Sequence, residues 1–274
     1  MGSGYSDTMP GPSGRSEPSR LKGRLSEIYV PALLSGDIGD LILRLGDRAT
    51  VDDPLFGRAT GKAALFPTLK KASSWLAEHQ GTFELGSLLA GSDRDVTEGR
   101  LILQMSGNPL ALPIALVTEK RREREVEVRI YYSLRALRGQ GAARGALLES
   151  REDVQVPPPV AALLDALACS DLDAAVASLE ETATLRAGDG TLYTRAAGNH
   201  SLPSYFLHLI SVGSAPGAAR IAKNARADDG RSCALEYTLT HLRGQEVEPS
   251  AGLAIYERGE SGLLSAVRVY DDVG

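Results

Sequence analysis

Residues 29–54 read YVPALLSGDIGDLILRLGDRATVDDP. Leu25, Ile28, Tyr29, Ala32 and Leu33 recur at helical spacing and predict one buried stripe, with Pro31 set to end or kink a turn inside it. Ser35-Gly36-Asp37 closes that helix, and Asp37 is placed to cap a second over Ile38–Leu45. Ala49-Thr50-Val51 then reads as a short strand stopped by Asp52-Asp53-Pro54. A third helix is predicted from about Gly61 to Glu78, with Ala64, Leu65, Leu69, Ala72 and Leu76 inward. Beyond it the period drops to two. Strands follow around Phe83–Leu88, Leu101–Met105, Leu112–Thr118 and Val126–Tyr132, and the charged run Lys120 to Glu125 reads as a solvated hairpin turn.

The same order restarts after the proline run Val156-Pro157-Pro158-Pro159. Helices are predicted over 160–169, 171–181 and 201–212, with strands at 183–186, 233–242, 251–257 and 263–270. Ser35-Gly36-Asp37 answers Cys169-Ser170-Asp171, and Ala49-Thr50 answers Ala183-Thr184 at the same offset. Arg58-Ala59-Thr60-Gly61 answers Arg195-Ala196-Ala197-Gly198, and Arg129-Ile130-Tyr131 answers Arg268-Val269-Tyr270. The chain therefore divides into a disordered tail (1–20), a first domain (21–138), a linker (139–159) and a second domain (160–274). Each domain is expected to be α+β, with three helices preceding a strongly curved antiparallel sheet that forms a cone.

Composition narrows the function classes. Thirty basic against thirty-five acidic side chains leave a net charge of −5, which provides no basic footprint for nucleic acid. No apolar run approaches the ~20 residues that span a bilayer, and the first residues lack an apolar signal core, so a cytoplasmic location is expected. Cys169 and Cys233 stand far apart without metal-ligand spacing, which argues against a disulfide framework or a zinc site. No glycine-rich phosphate loop follows a strand, so no cofactor is implied.

The quoted stretch resembles the opening of the SnoaL-like and ketosteroid-isomerase-like proteins of the nuclear-transport-factor-two-like superfamily. Tyr29, the Gly36-Asp37 helix break, Ala49-Thr50-Val51 and the acid before Pro54 carry the resemblance. It implies a conical pocket plugged by helices, in a fold that hosts isomerases, cyclases, hydrolases and pure binding modules. Strand alternation puts Val51 and Asp53 on one side and Asp52 on the other, in solvent if Val51 is core. By the resemblance Asp53 becomes the acid/base and Tyr29 a donor to a developing oxyanion, with Phe56, Phe66, Trp75, Ala115 and Val117 lining the pocket. Asp-Asp-Pro is equally ordinary turn chemistry, and Tyr29 equally a core tyrosine.

The isomerase pattern is incomplete. Counting back from Arg129 places Ala115 where a second, protonated acid would stand, and the second repeat carries Ala187 for Asp53 and Leu163 for Tyr29. The first domain is thus expected to be the equipped copy and the second a degenerate one that packs against it as a built-in partner. Three readings follow: a cofactor-independent isomerase, cyclase or hydrolase acting on a hydrophobic ligand; a non-catalytic binder of such a ligand; or an assembly module.

Overall fold

The computed structural model describes residues 21–122, 125–141, 144–212 and 215–272. The expected tail over 1–20 and the tip of the charged hairpin at 123–124 lie outside the described residues. The first module contains α1 (Leu25–Ser35), α2 (Ile38–Leu45), β1 (Thr50–Asp53), β2 (Gly57–Thr60), α3 (Lys62–Glu78), β3 (Thr82–Ala90), β4 (Arg94–Met105), β5 (Asn108–Arg122), β6 (Glu125–Tyr131) and a short α4 (Leu134–Arg138). The second contains α5 (Pro158–Ala168), α6 (Leu172–Ala177), β7 (Leu179–Arg186), β8 (Leu192–Tyr193), α7 (Leu202–Ile210), β9 (Ser211–Val212), β10 (Ala215–Pro216), β11 (Arg220–Asp228), β12 (Ser232–Leu242), β13 (Gln245–Arg258) and β14 (Leu264–Tyr270).

The repeat is visible in the pairing. One sheet runs β2-β1-β6-β5-β4-β3 and the other β8-β7-β14-β13-β12-β11, the same order twice. Both are mixed rather than purely antiparallel, because β1 pairs parallel with β6 and β7 pairs parallel with β14. Asp52 stands opposite Arg129 and Arg186 opposite Arg268, which fixes corresponding positions in the two modules. The helix ends repeat as well: Asp37 N donates to Ala32 O at 3.0 Å, and Asp171 N to Ala166 O at 2.8 Å. The residue before each is left-handed, Gly36 at φ +80° and Ser170 at +60°.

Several local expectations change. Pro31 and Pro67 are tolerated inside α1 and α3 because both lie on exposed faces, where water can take the carbonyl each leaves unbonded. Ala64 is exposed in the first turn of α3. The helix expected over 171–181 ends at Ala177, since β7 already begins at Leu179 to pair with β14. Strand β11, alanine-rich and charged, was not signalled by periodicity, and its pairing with β12 makes it a strand. Strands β5 and β6 continue to Arg122 and from Glu125, so the described part of the charged run is strand rather than turn. Pro113 sits within β5 beyond the last residue paired to β6, where no ladder donor is required.

Each sheet buries its inner face under its own helices. Leu41, Leu45, Leu65, Leu69, Leu103 and Leu116 form the first core; Val160, Leu163, Phe206, Leu235 and Leu264 belong to the second. The outer faces of the two sheets pack on one another through Val96, Ala115, Val117 and Tyr131 against Ala234, Leu253, Ile255 and Tyr270. Two charged clasps run through this layer. Arg129, fully buried, donates to both oxygens of Glu236 (2.5 and 2.8 Å), and the Tyr131 hydroxyl donates to Glu236 at 2.7 Å. In the opposite direction Arg268 donates to both oxygens of Glu98 (2.7 and 3.0 Å), and the Tyr270 hydroxyl donates to Glu98 at 2.7 Å. Burial works against the charge of Arg129, but Glu236 and Glu119 outweigh it and hold its pKa above the ordinary value.

The connection also reverses an expectation. Asp52 is buried rather than solvated, because Arg144 of the connecting segment donates to its carboxylate at 2.6 Å and lies over the Tyr131 ring. The Arg144 carbonyl in turn accepts from Ala251 N of the second sheet at 2.6 Å. The segment is pinned to both modules.

Two outcomes follow. Arg129→Met removes the bidentate partner of buried Glu236 and leaves it only Arg94 at 3.4 Å and the Tyr131 hydroxyl, so chemical denaturation should show a loss of about 3 kcal/mol. Ser170→Gly removes a left-handed non-glycine residue and should raise stability by roughly 1 kcal/mol in the same assay.

Candidate functional site

The first module's inner cavity is bounded by Tyr29, Asp53, Phe56, Trp75, Ile114 and Tyr132 among others. Strand β1 delivers Asp53 there because Val51, two residues earlier, points into the core. The Asp53 carboxylate accepts from Leu55 N (2.7 Å), Phe56 N (3.1 Å) and the Tyr132 hydroxyl (2.7 Å). It is therefore a turn-capping acid and a cavity-wall acid at once, the two readings the sequence offered as alternatives. Burial raises its pKa, against the opposing pull of these three hydrogen bonds and of Arg144. Burial, and then the charge of Asp53, push the Tyr29 phenol well above its ordinary value, so it is a neutral donor. Tyr132 is raised in the same way and by the same neighbour.

Phe56 and Trp75 meet edge to face at 6.1 Å between ring centres, and Trp75 lies against His79. These rings close the space. The cavity holds about 30 Å³, little more than a water or two. Of the remaining expected lining residues, Phe66 is half exposed on α3 and faces away. Ala115 and Val117 are buried in the layer between the sheets, and Leu112 and Ile114 are the β5 residues that reach the cavity. A register shift between Lys120 and Arg122 explains the displacement: one bulged residue inverts the faces counted back from Arg129. Glu236 of β12 lies outside the second module's cavity lining and is buried toward the first module.

The second module has kept its space. Its inner cavity measures about 310 Å³ and is lined by Leu163, Leu185, Phe206, Leu239 and Ala254, with Tyr205, Tyr237, Tyr256 and Asp271 as polar members. The Tyr237 hydroxyl donates to Asp271 at 2.5 Å. Burial and then the Asp271 charge raise Tyr237 and Tyr205 well above the ordinary phenol value. Burial raises Tyr256 too, with smaller pushes from Cys233 and Asp271. A second chamber of about 330 Å³ adjoins this cavity and shares Tyr205, Leu209 and Asp271 with it.

The corresponding positions show how this came about. Asp271 occupies the place of Tyr132, three residues beyond the arginine of the repeat, and Ala187 that of Asp53. The carboxyl has moved from the end of β7 to the end of β14, and β12 supplies the phenol. Gly252, directly opposite Tyr237, makes room for it: a Cβ there would stand 2.5 Å from the Tyr237 ring. Carrying the Arg268-Val269-Tyr270 match one residue further exposes this Tyr132/Asp271 exchange, a signal present in the sequence. Among the described residues no three His, Cys, Asp or Glu side chains are grouped to hold a metal ion. Burial raises Cys233 to about 12, so its thiol stays protonated.

No family model and no curated protein matches the chain. Solved structures do show similarity. An NTF2-like protein of unknown function from Cytophaga hutchinsonii is 17% identical, over 43% of this chain and 92% of its own, with a TM-score of 0.32. A protein with a ketosteroid isomerase-like fold from Catenulispora acidiphila, in complex with trimethylamine, is 17% identical over 42% of this chain and 88% of its own, with a TM-score of 0.34. SalBIII, an epoxide hydrolase/cyclase-like enzyme of salinomycin pyran-ring formation, is 16% identical over 39% of this chain and 85% of its own, with a TM-score of 0.32.

Carboxyl-carbon NMR should place the Asp53 titration above the ~3.9 of a free aspartate, with the signal absent in Asp53→Asn. Tyr132→Phe removes a bond that favours the carboxylate and should raise the value further. A carboxyl whose folded pKa exceeds its unfolded one stabilises the fold when protonated. The Asp53 contribution should therefore be full below about 3.9 and decline as pH rises through the folded value, a decline that Asp53→Asn abolishes.

Proposed function

We propose that the chain binds a small hydrophobic molecule in the inner cavity of its second module, with the first module as its covalently attached partner in an intramolecular pseudo-dimer. The difference in free space carries this reading: about 310 Å³ against about 30 Å³. Ligand sites usually begin near ~300 Å³ and combine apolar walls with a few placed polar groups. Asp271 and its phenols are those groups, and Asp271 is the acid–base residue positioned to meet a ligand. On this reading the second module, not the first, is the equipped copy.

A proton-transfer role for Asp53 is the second reading, favoured by its raised pKa and its cluster with Tyr29 and Tyr132. It requires Phe56 or Trp75 to swing aside before anything larger than water enters. No helix of the described residues is long and apolar enough to cross a membrane.

Pyrene fluorescence tests the proposal. The full chain should bind pyrene, Ala254→Phe should abolish binding, and Ala72→Phe in the first cavity should leave it intact, each variant retaining native circular dichroism. Binding that survives Ala254→Phe and disappears in Ala72→Phe would overturn the assignment.

A further inference from the structure

The wall of the second module's inner cavity carries a charge that its own chemistry does not explain. Lys223 of β11 pairs directly with Tyr237 of β12, so both project from the inner face of the sheet. Lys223 lines the cavity together with Arg220 and Ile221. Inner faces of such sheets ordinarily present apolar side chains, as Leu235, Leu239 and Tyr256 do on the neighbouring strands. Register shifts between Arg220 and Ile221 and between Lys223 and Ala225 disturb the alternation of β11, and bulges of this kind re-aim side chains.

Among the described residues neither the half-buried Lys223 nor the exposed Arg220 at the cavity rim has a carboxylate within ion-pair distance, whereas the buried or half-buried Arg129, Arg258 and Arg268 are paired. Asp165, exposed on α5, lines the same cavity but stands beyond that distance from both. Lys223 and Arg220 line the main cavity and not the adjoining chamber, whereas Asp271 lines both. The cavity thus has a cationic side on β11, an apolar body, and a carboxyl–phenol side that opens on the second chamber.

Building on the ligand pocket proposed above, we infer that the ligand is an amphiphilic acid, its hydrophobic body filling the cavity and its carboxylate received by Lys223 and Arg220. A carboxylate there satisfies two cations at the edge of an apolar space, where hydrogen bonds between charged groups are strongest. The Asp271 side, already supplied with a carboxylate, excludes the anionic end and fixes the orientation of the molecule. Lys223 and Arg220 are binding residues in this arrangement and have no part in proton transfer.

Dodecanoate and dodecanol, each competing with pyrene for the full chain, distinguish the pocket from its charge. The inference expects dodecanoate to bind about tenfold or more tighter than dodecanol. In Lys223→Met with Arg220→Met the preference should vanish while dodecanol affinity holds within about twofold. Equal affinities in the unmodified chain would overturn the inference and leave the pocket standing, the lysine then lining it only with its aliphatic stem. A preference that survives the double substitution would also overturn it. Failure of pyrene, dodecanol and dodecanoate alike to bind would overturn both the inference and the pocket.

Discussion

Two guanidinium groups facing opposite ways, Arg129 fully buried and Arg268 half-buried, determine how this molecule is put together. Arg129 reaches from the first sheet to Glu236 of the second, and Arg268 reaches back to Glu98. Each glutamate also accepts a phenol from its partner module, Tyr131 or Tyr270. Charges so deeply placed are tolerable only when every partner is present, so the clasps specify one register of sheet on sheet. The small side chains between them, Ala115, Val117 and Ala234, let the backbones approach closely enough for the clasps to close. With the outer faces committed to each other, each sheet keeps its helix-covered inner face for a ligand.

Those inner faces have diverged by a few substitutions. In the first, Phe56, Trp75 and Ile114 fill the space that the sheet and helices enclose. In the second, a glycine opposite Tyr237 lets the phenol lie against the sheet and leaves the cavity open. The acid has changed strands in the process, from Asp53 beside β2 to Asp271 after β14. One architecture thus holds a closed carboxyl–phenol pair and an open one side by side.

Much of the architecture was legible in the sequence, because repeated punctuation such as Ser35-Gly36-Asp37 and Cys169-Ser170-Asp171 reflects helix ends that recur in three dimensions. The inward direction of Asp53 was legible as well, since strand alternation over three residues leaves no freedom. Beyond that range the inference failed for physical reasons. A single bulge near Lys120 exchanged Ile114 for Ala115, and tertiary pairing turned the polar, alanine-rich β11 into a strand. Asp52 was assigned to solvent because nothing local announces Arg144, which arrives from 92 residues away. Cavity volume depends on how side chains such as Phe56 and Trp75 pack, which no periodicity records.

The tether that carries Arg144 between the modules has a consequence for how the protein can change. In a dimer of identical chains every substitution is made twice, so an interface residue and a cavity residue can never vary in one half alone. Here the halves are written separately. Ala187 could replace an aspartate in the second module while Asp53 kept its three hydrogen bonds in the first. Covalent linkage also keeps the halves at a high effective concentration whatever the abundance of the protein. One half is thereby free to specialise while the other preserves the shared frame.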